Sequence, residues 1–240
     1  FVVDPQTAQR VAAWETLEGV WAHGFWAFEW ANTYEAIESF DPSERVLKTA
    51  EPHASYGFRN GGRYRFVNVL DELDAPGEYY VDRDRGMLYF LPPDDAGDTE
   101  AIVSVMEDSI IEVRGASFVG IEGLTIEAGR ADAIRIEGGS DVVVRDCTLR
   151  NLGRDAAVVQ GGSDHLIIGC EICGTGDAGI RLSGGDRQTL EPCRHRVTDC
   201  EIHHFARWSR CYKPAVGGTT VGATVAHNHI HSAPHCGILL

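Results

Sequence analysis

The chain has 240 residues, 36 acidic against 21 basic, a net charge of −15 and 43% apolar residues. That length supports one large domain or two modest ones with a buried core. The charge disfavours nucleic acid, anionic membrane surfaces and other large polyanions held non-specifically, and no apolar run reaches the ~18 residues of a bilayer span.

In chain order, "QTAQRVAAWETLE" (6–18) has the spacing of a short amphipathic helix. "NVLDELDAPGE" (68–78) reads as a short helix stopped by Pro76 and Gly77. "EYYVDRDRGMLYFLPP" (78–93) reads as a β-hairpin, with Gly86 supplying the positive φ of its turn. Four of the five tryptophans lie in this first part. Residues 1–105 are therefore expected to form a small mixed, mainly β subdomain. The chain opens on Phe1 and closes on apolar "GILL" without a visible signal peptide, as expected of a piece of a longer protein.

From about residue 106 the composition turns to glycine and β-branched residues, and a repeat emerges. "DAIRIEGGSD" (132), "AAVVQGGSDH" (156), "AGIRLSGGDR" (178), "PAVGGTTVGA" (214) and "CGILL" (236) align to put Ile134, Val158, Ile180, Val216 and Ile238 in one column. A second strand aligns Leu124, Cys147, Cys170, Cys200 and Asn228, with Ile126, Leu149, Ile172, Ile202 and Ile230 two residues on. Short strands at a period near 23 residues, joined by "GG" turns, predict a parallel β-helix over 106–240 with about five coils. No such coil buries its apolar side alone, so stacking is obligatory. The long step from Ile180 to Val216 places insertions in "GGDRQTLEPCRHR" and "FARWSRCYKPA". Cys147, Cys170 and Cys200 are expected to stack inward as small apolar groups. Cys193 and Cys211 sit in the two insertions, where a disulfide between them is an option.

The histidines of "HNHIHSAPHC" (227–236) acquire a reading from this repeat. Strand alternation turns His227, His229 and His231 outward. His231 falls one coil above His203, about 4.8 Å away. Such a pair could bind a sugar hydroxyl or a metal, but no carboxylate at fixed spacing completes a ligand set. The sequence indicates no cofactor, although a divalent cation is compatible with it.

Counting back three residues from the first column gives Ala131, Asp155, Asp177, Lys213 and His235. Counting back one gives Ala133, Ala157, Gly179, Ala215 and Gly237. Strand parity turns both sets outward, which predicts a smooth strip edged by acid–base groups, with Arg135 and Arg181 on its other side. A flat strip lets a planar ring lie against the backbone, and Trp208 and Tyr212 in the insertion are suited to wall it, since aromatic faces stack on apolar sugar faces. Asp155 and Asp177, one strand spacing apart, approach the ~5–5.5 Å separation of a retaining glycosidase pair. Asp155, Asp177, Lys213 and His235 are the candidate catalytic residues. Arg181, Arg135, His203, His231, Trp208 and Tyr212 are the candidate substrate-binding residues.

Taken together, "GEYYVDRDRGMLYFLPP", "GGDRQTL", "CEIHHFARWSRCYKPAV" and "VAHNHIHSAPHCGIL" resemble bacterial right-handed parallel β-helix proteins of the carbohydrate-active kind. The resemblance implies an extracellular or periplasmic protein acting on a polysaccharide or oligosaccharide, with no membrane insertion. The aspartate pair and "GHG" of polygalacturonases are not visible, nor is a calcium-binding acidic cluster of the pectate lyase type. Three activities follow as expectations. The first is hydrolysis of a plant or algal polysaccharide by Asp155 and Asp177. The second is β-elimination on a uronate with Lys213 as base. The third is glycan binding without catalysis.

Overall fold

The computed structural model describes residues 1–93, 97 and 101–240. The chain forms two compact units, Phe1–Ala101 and Ile102–Leu240.

The first unit begins with a helix, Pro5–Ala12, capped by Asp4, whose carboxylate accepts from the Gln6 and Thr7 amides. The expected helix over 6–18 stops early. Trp14 instead enters the core, where it is 9% exposed, and its indole N–H donates to Glu72 at 3.0 Å. The four strands Trp21–Phe28, Ala31–Asp41, Val46–Thr49 and Tyr64–Val67 make one antiparallel sheet. Its core holds Val3, Val11, Trp26 and Leu47. The expected helix over 68–78 is only a 3-10 turn, Leu70–Glu72, none of whose residues is buried. The hairpin is present, with Tyr79–Asp82 paired to Met87–Phe90 and Gly86 at φ 64°.

The second unit is a solenoid of three parallel sheets. The first sheet stacks Ile111–Arg114, Ile134–Glu137, Ala157–Gln160, Ile180–Gly184, Val216–Thr220 and Ile238–Leu239. The second stacks Gly120–Glu122, Val143–Arg145, Leu166–Ile168, Arg196–Thr198 and Thr224–Ala226. The third stacks Thr125–Glu127, Thr148–Leu152, Glu171–Thr175, Glu201–His203 and His229–His231. Inward residues from all three sheets form one core, including Ile134, Val144, Leu149, Ile167, Ile172, Ile180 and Ile202, each at most 1% exposed. Burying each such side chain contributes about 1.5–3 kcal/mol.

Turns close each coil through left-handed residues. Between the second and third sheets the corner is two residues long. Its first position is Gly123, Asp146, Gly169, Asp199 and His227 in successive coils, at φ 64°, 51°, 65°, 54° and 58°. Glycine and aspartate adopt this conformation most readily among common residues. His227 thus lies at a corner and not on the strand face with His229 and His231. The second corner position points inward and carries Cys147, Cys170 and Cys200, at 1%, 1% and 2% exposure, as the repeat predicts. Asn228 ends this column; its amide accepts from the Cys200 N–H at 2.9 Å and donates to the Val197 carbonyl at 3.0 Å.

Two expectations about the first sheet are corrected. Ala157, not Val158, pairs with Ile134 and Ile180. Ala157, Val158 and Val159 are all buried, so hydrophobicity alone does not reveal which of them points inward. Val158 is the outward residue, and by register it lies between Arg135 and Arg181. The small-residue strip is not an outer surface either. Ala133, Ala156 and Ala215 are fully buried, and a Cβ on Gly179 would stand 2.9 Å from the Ile202 side chain. These residues precede the strands, where the chain is still turning and strand parity does not apply. The proposed Cys193–Cys211 disulfide is also absent, since Cys193 is a buried free thiol.

Candidate functional site

The corrected register rearranges the acidic residues at the entry to the first sheet. Asp155 aligns with Asp132 and Ala178, whereas Asp177 aligns with Arg154 and Lys213. Asp155 and Asp177 therefore do not form one column. Asp132 and Asp155 are each 1% exposed. Each carboxylate caps the following coil: Asp132 accepts from the Asp155 amide at 3.1 Å and Asp155 from the Ala178 amide at 2.9 Å. Each also holds an arginine, Asp132 with Arg135 at 2.5 Å and Asp155 with Arg181 at 2.6 Å. Burial pushes the Asp155 carboxyl up to about 6. Arg181 opposes that shift, while the charges of Asp132 and Asp177 add to it.

Asp177 is nearer the surface, its side chain 15% exposed, and pairs with Lys213 at 3.0 Å. Lys213 enters through the third-turn insertion beside Tyr212. Tyr212 holds a left-handed backbone, φ 54°, as other turn residues of the solenoid do. Its ring stands 5.1 Å from that of His235. Arg181, Arg187, Tyr212 and Lys213 line a cavity of about 750 Å³ over the outer face of the first sheet. Arg187 comes from the first-turn insertion and is exposed. The two insertions thus converge on this cavity, and its charged side chains are cationic.

The other candidates lie apart from it. Arg135 is engaged with Asp132, one coil below Val158. Trp208 rests against Gly176, where a Cβ would come within 2.9 Å of its ring. His203 and His231 stack on the third sheet, ring centroids 4.8 Å apart and 6° from parallel, as the repeat predicts. Sequence reasoning missed Arg187, because an arginine in an insertion has no column to align with. It also missed Glu201, which faces both His229 and His231 from the preceding coil.

A family described as "Right handed beta helix region" matches residues 109–240, more than half of the chain. The chain belongs to the right-handed β-helix family. No curated protein matches it. Among solved structures, a chain named "Glycoside hydrolase" is similar, with a TM-score of 0.75 and 17% identity over 91% of this β-helix chain and 50% of that one. This chain therefore spans half the length of that structure, and at such identity the likeness is one of fold. Among the described residues, no helix is long and apolar enough to cross a membrane.

Proposed function

We propose that the protein is a carbohydrate-active enzyme whose first-sheet cavity takes a uronate-containing glycan and cleaves it by β-elimination. The observation that carries this reading is the charge of the cavity. In a chain of net charge −15, the charged groups lining it are Arg181, Arg187 and Lys213. Asp155 and Asp177 pair with two of these cations, Arg181 and Lys213, and Arg187 is the exposed cation of the lining. A guanidinium binds a carboxylate through two parallel hydrogen bonds. Neutralising the uronate carboxylate in this way acidifies the adjacent C–H. A base then takes that proton, its bonding electrons form the C=C bond, the neighbouring C–O bond breaks and the departing oxygen gains a proton. Lys213 is tied to Asp177 and serves as a cation, so the proton-transfer roles pass to Tyr212 and His235. An extracellular or periplasmic setting fits such a substrate.

A second reading, hydrolysis, is favoured by Asp155, whose carboxyl lies near 6, the range of a general acid. It requires Asp155 to leave its contacts with Arg181 and the Ala178 amide. The solved structure called a glycoside hydrolase adds support at the level of fold.

Product masses from a panel of neutral and uronate polysaccharides test the proposal. Unsaturated fragments from uronate substrates alone are expected. Fragments carrying an added water would replace elimination by hydrolysis, and no fragments at all would leave glycan binding without catalysis. Arg187→Ala, which removes an exposed cation, is expected to weaken uronate binding by about 10–150-fold, the equivalent of ~1.5–3 kcal/mol for a hydrogen bond to a charged group.

A further inference from the structure

The outer face of the third sheet carries a grid of metal-ligating side chains. Glu171, Glu201 and His229 form one column and Cys173, His203 and His231 the next, one pair per coil. In the uppermost row, His229 and His231 flank the inward Ile230 and so share a face. Glu201 lies one coil below. Its Oε1 stands 3.5 Å from His229 Nδ1 and 3.3 Å from His231 Nε2, and the three ligand atoms all lie within 4.8 Å of one another. Around a tetrahedral ion with bonds of ~2.0–2.1 Å, neighbouring ligand atoms are about 3.3 Å apart. His231 Nδ1 lies 3.1 Å from Ser232 Oγ. The Ser232 hydroxyl can accept a proton from Nδ1, and in that tautomer the Nε2 lone pair faces Glu201 and is available to a metal ion.

We propose that Glu201, His229 and His231 bind a divalent transition-metal ion of the zinc class, which clips strand Glu201–His203 to strand His229–His231. Three protein ligands leave a fourth position for water. The row below is looser: Glu171 Oε1 is 3.8 Å from His203 Nε2, and His203 Nδ1 is engaged at 2.7 Å with His204. This site lies on a different sheet from the cavity, and the proposal stands independently of the glycan reading.

Titration of the full chain with Co²⁺, followed by visible absorption and then displacement by Zn²⁺, tests it. One equivalent of saturable uptake is expected, with the absorption of a four-coordinate ion and no thiolate-to-cobalt band. Glu201→Gln and His229→Ala are each expected to weaken binding at least about tenfold. Both side chains are at least half exposed, so these variants are expected to fold. His227→Ala, at the adjacent corner, is expected to bind as the parent does. Absence of saturable uptake would overturn the proposal. So would uptake that survives both variants but is lost in Cys173→Ser.

Discussion

Two buried histidines show how a single residue type answers to its coil position. His165 and His195 stack beneath the glycine turns, rings 5.0 Å apart, each 1% exposed. His165 Nδ1 accepts from the Val142 amide at 3.2 Å, and His195 Nδ1 accepts from the His165 amide at 3.3 Å. Accepting at Nδ1 requires that nitrogen to be unprotonated. Burial holds both imidazoles below the ordinary histidine value, and the charge of His165 opposes that of His195. The unfolded chain binds protons near the ordinary value of about 6.5 while the folded chain does not, so the unfolded state holds more protons below that pH. Stability from these groups is therefore complete above about pH 6.5 and falls as the solution is acidified. Denaturant melts across pH 5–8 check this, with His195→Asn, which keeps an acceptor, expected to flatten the acid arm. His165→Ala leaves the buried Val142 amide unpaired and is expected to cost about 1–3 kcal/mol.

At the scale of the element, the turns decide more than the strands. Gly138 and Gly139 follow the strand Ile134–Glu137, both with positive φ, 65° and 70°. A Cβ on Gly138 would meet nothing within 4 Å, whereas one on Gly139 would stand 1.9 Å from the Ala116 carbonyl oxygen. Gly138→Ala therefore carries only backbone strain, about 1–2 kcal/mol. Gly139→Ala must also displace the preceding coil and is expected to cost more than ~3 kcal/mol. Comparing the two thermal midpoints separates the contributions. These glycines, the cysteine column and the third-sheet isoleucines were readable in the sequence, because each repeats at one spacing under one physical constraint. The first-sheet register was not, since Ala157, Val158 and Val159 offer three consecutive apolar candidates. That single-residue ambiguity moved Asp155 into the wrong column and made a pair with Asp177 that the fold does not form. Glu201 was as legible as the His203–His231 stack, since the alignment that sets His231 over His203 also sets His229 over Glu201; its carboxylate meets these histidines across coils and not at a fixed spacing along one strand.

For the whole molecule, a solenoid distributes stability along its axis. Each inner coil is paired on both sides, whereas Ile238, Leu239 and Leu240 are 50%, 44% and 61% exposed. In such a stack each coil is stabilised mainly by its neighbours. In the 240-residue chain taken by itself, amide hydrogen exchange is therefore expected to be slowest in the first-sheet strands Ala157–Gln160 and Ile180–Gly184 and fastest in Ile238–Leu239. Uniform protection across these strands would contradict a graded stack. Addition of Zn²⁺ should extend protection into His229–His231 if the proposed ion clips the two coils.

The two-residue corner between the second and third sheets keeps its length in all five coils, while both insertions enter at the other two turns. One edge of the solenoid therefore acts as a ruler whose graduations, ~4.8 Å apart, are set by main-chain hydrogen bonding. Mutation can change the chemical group displayed at each mark, but it cannot easily move the mark. New specificity in this scaffold should come from exchanging side chains at existing marks and lengthening the two permissive turns.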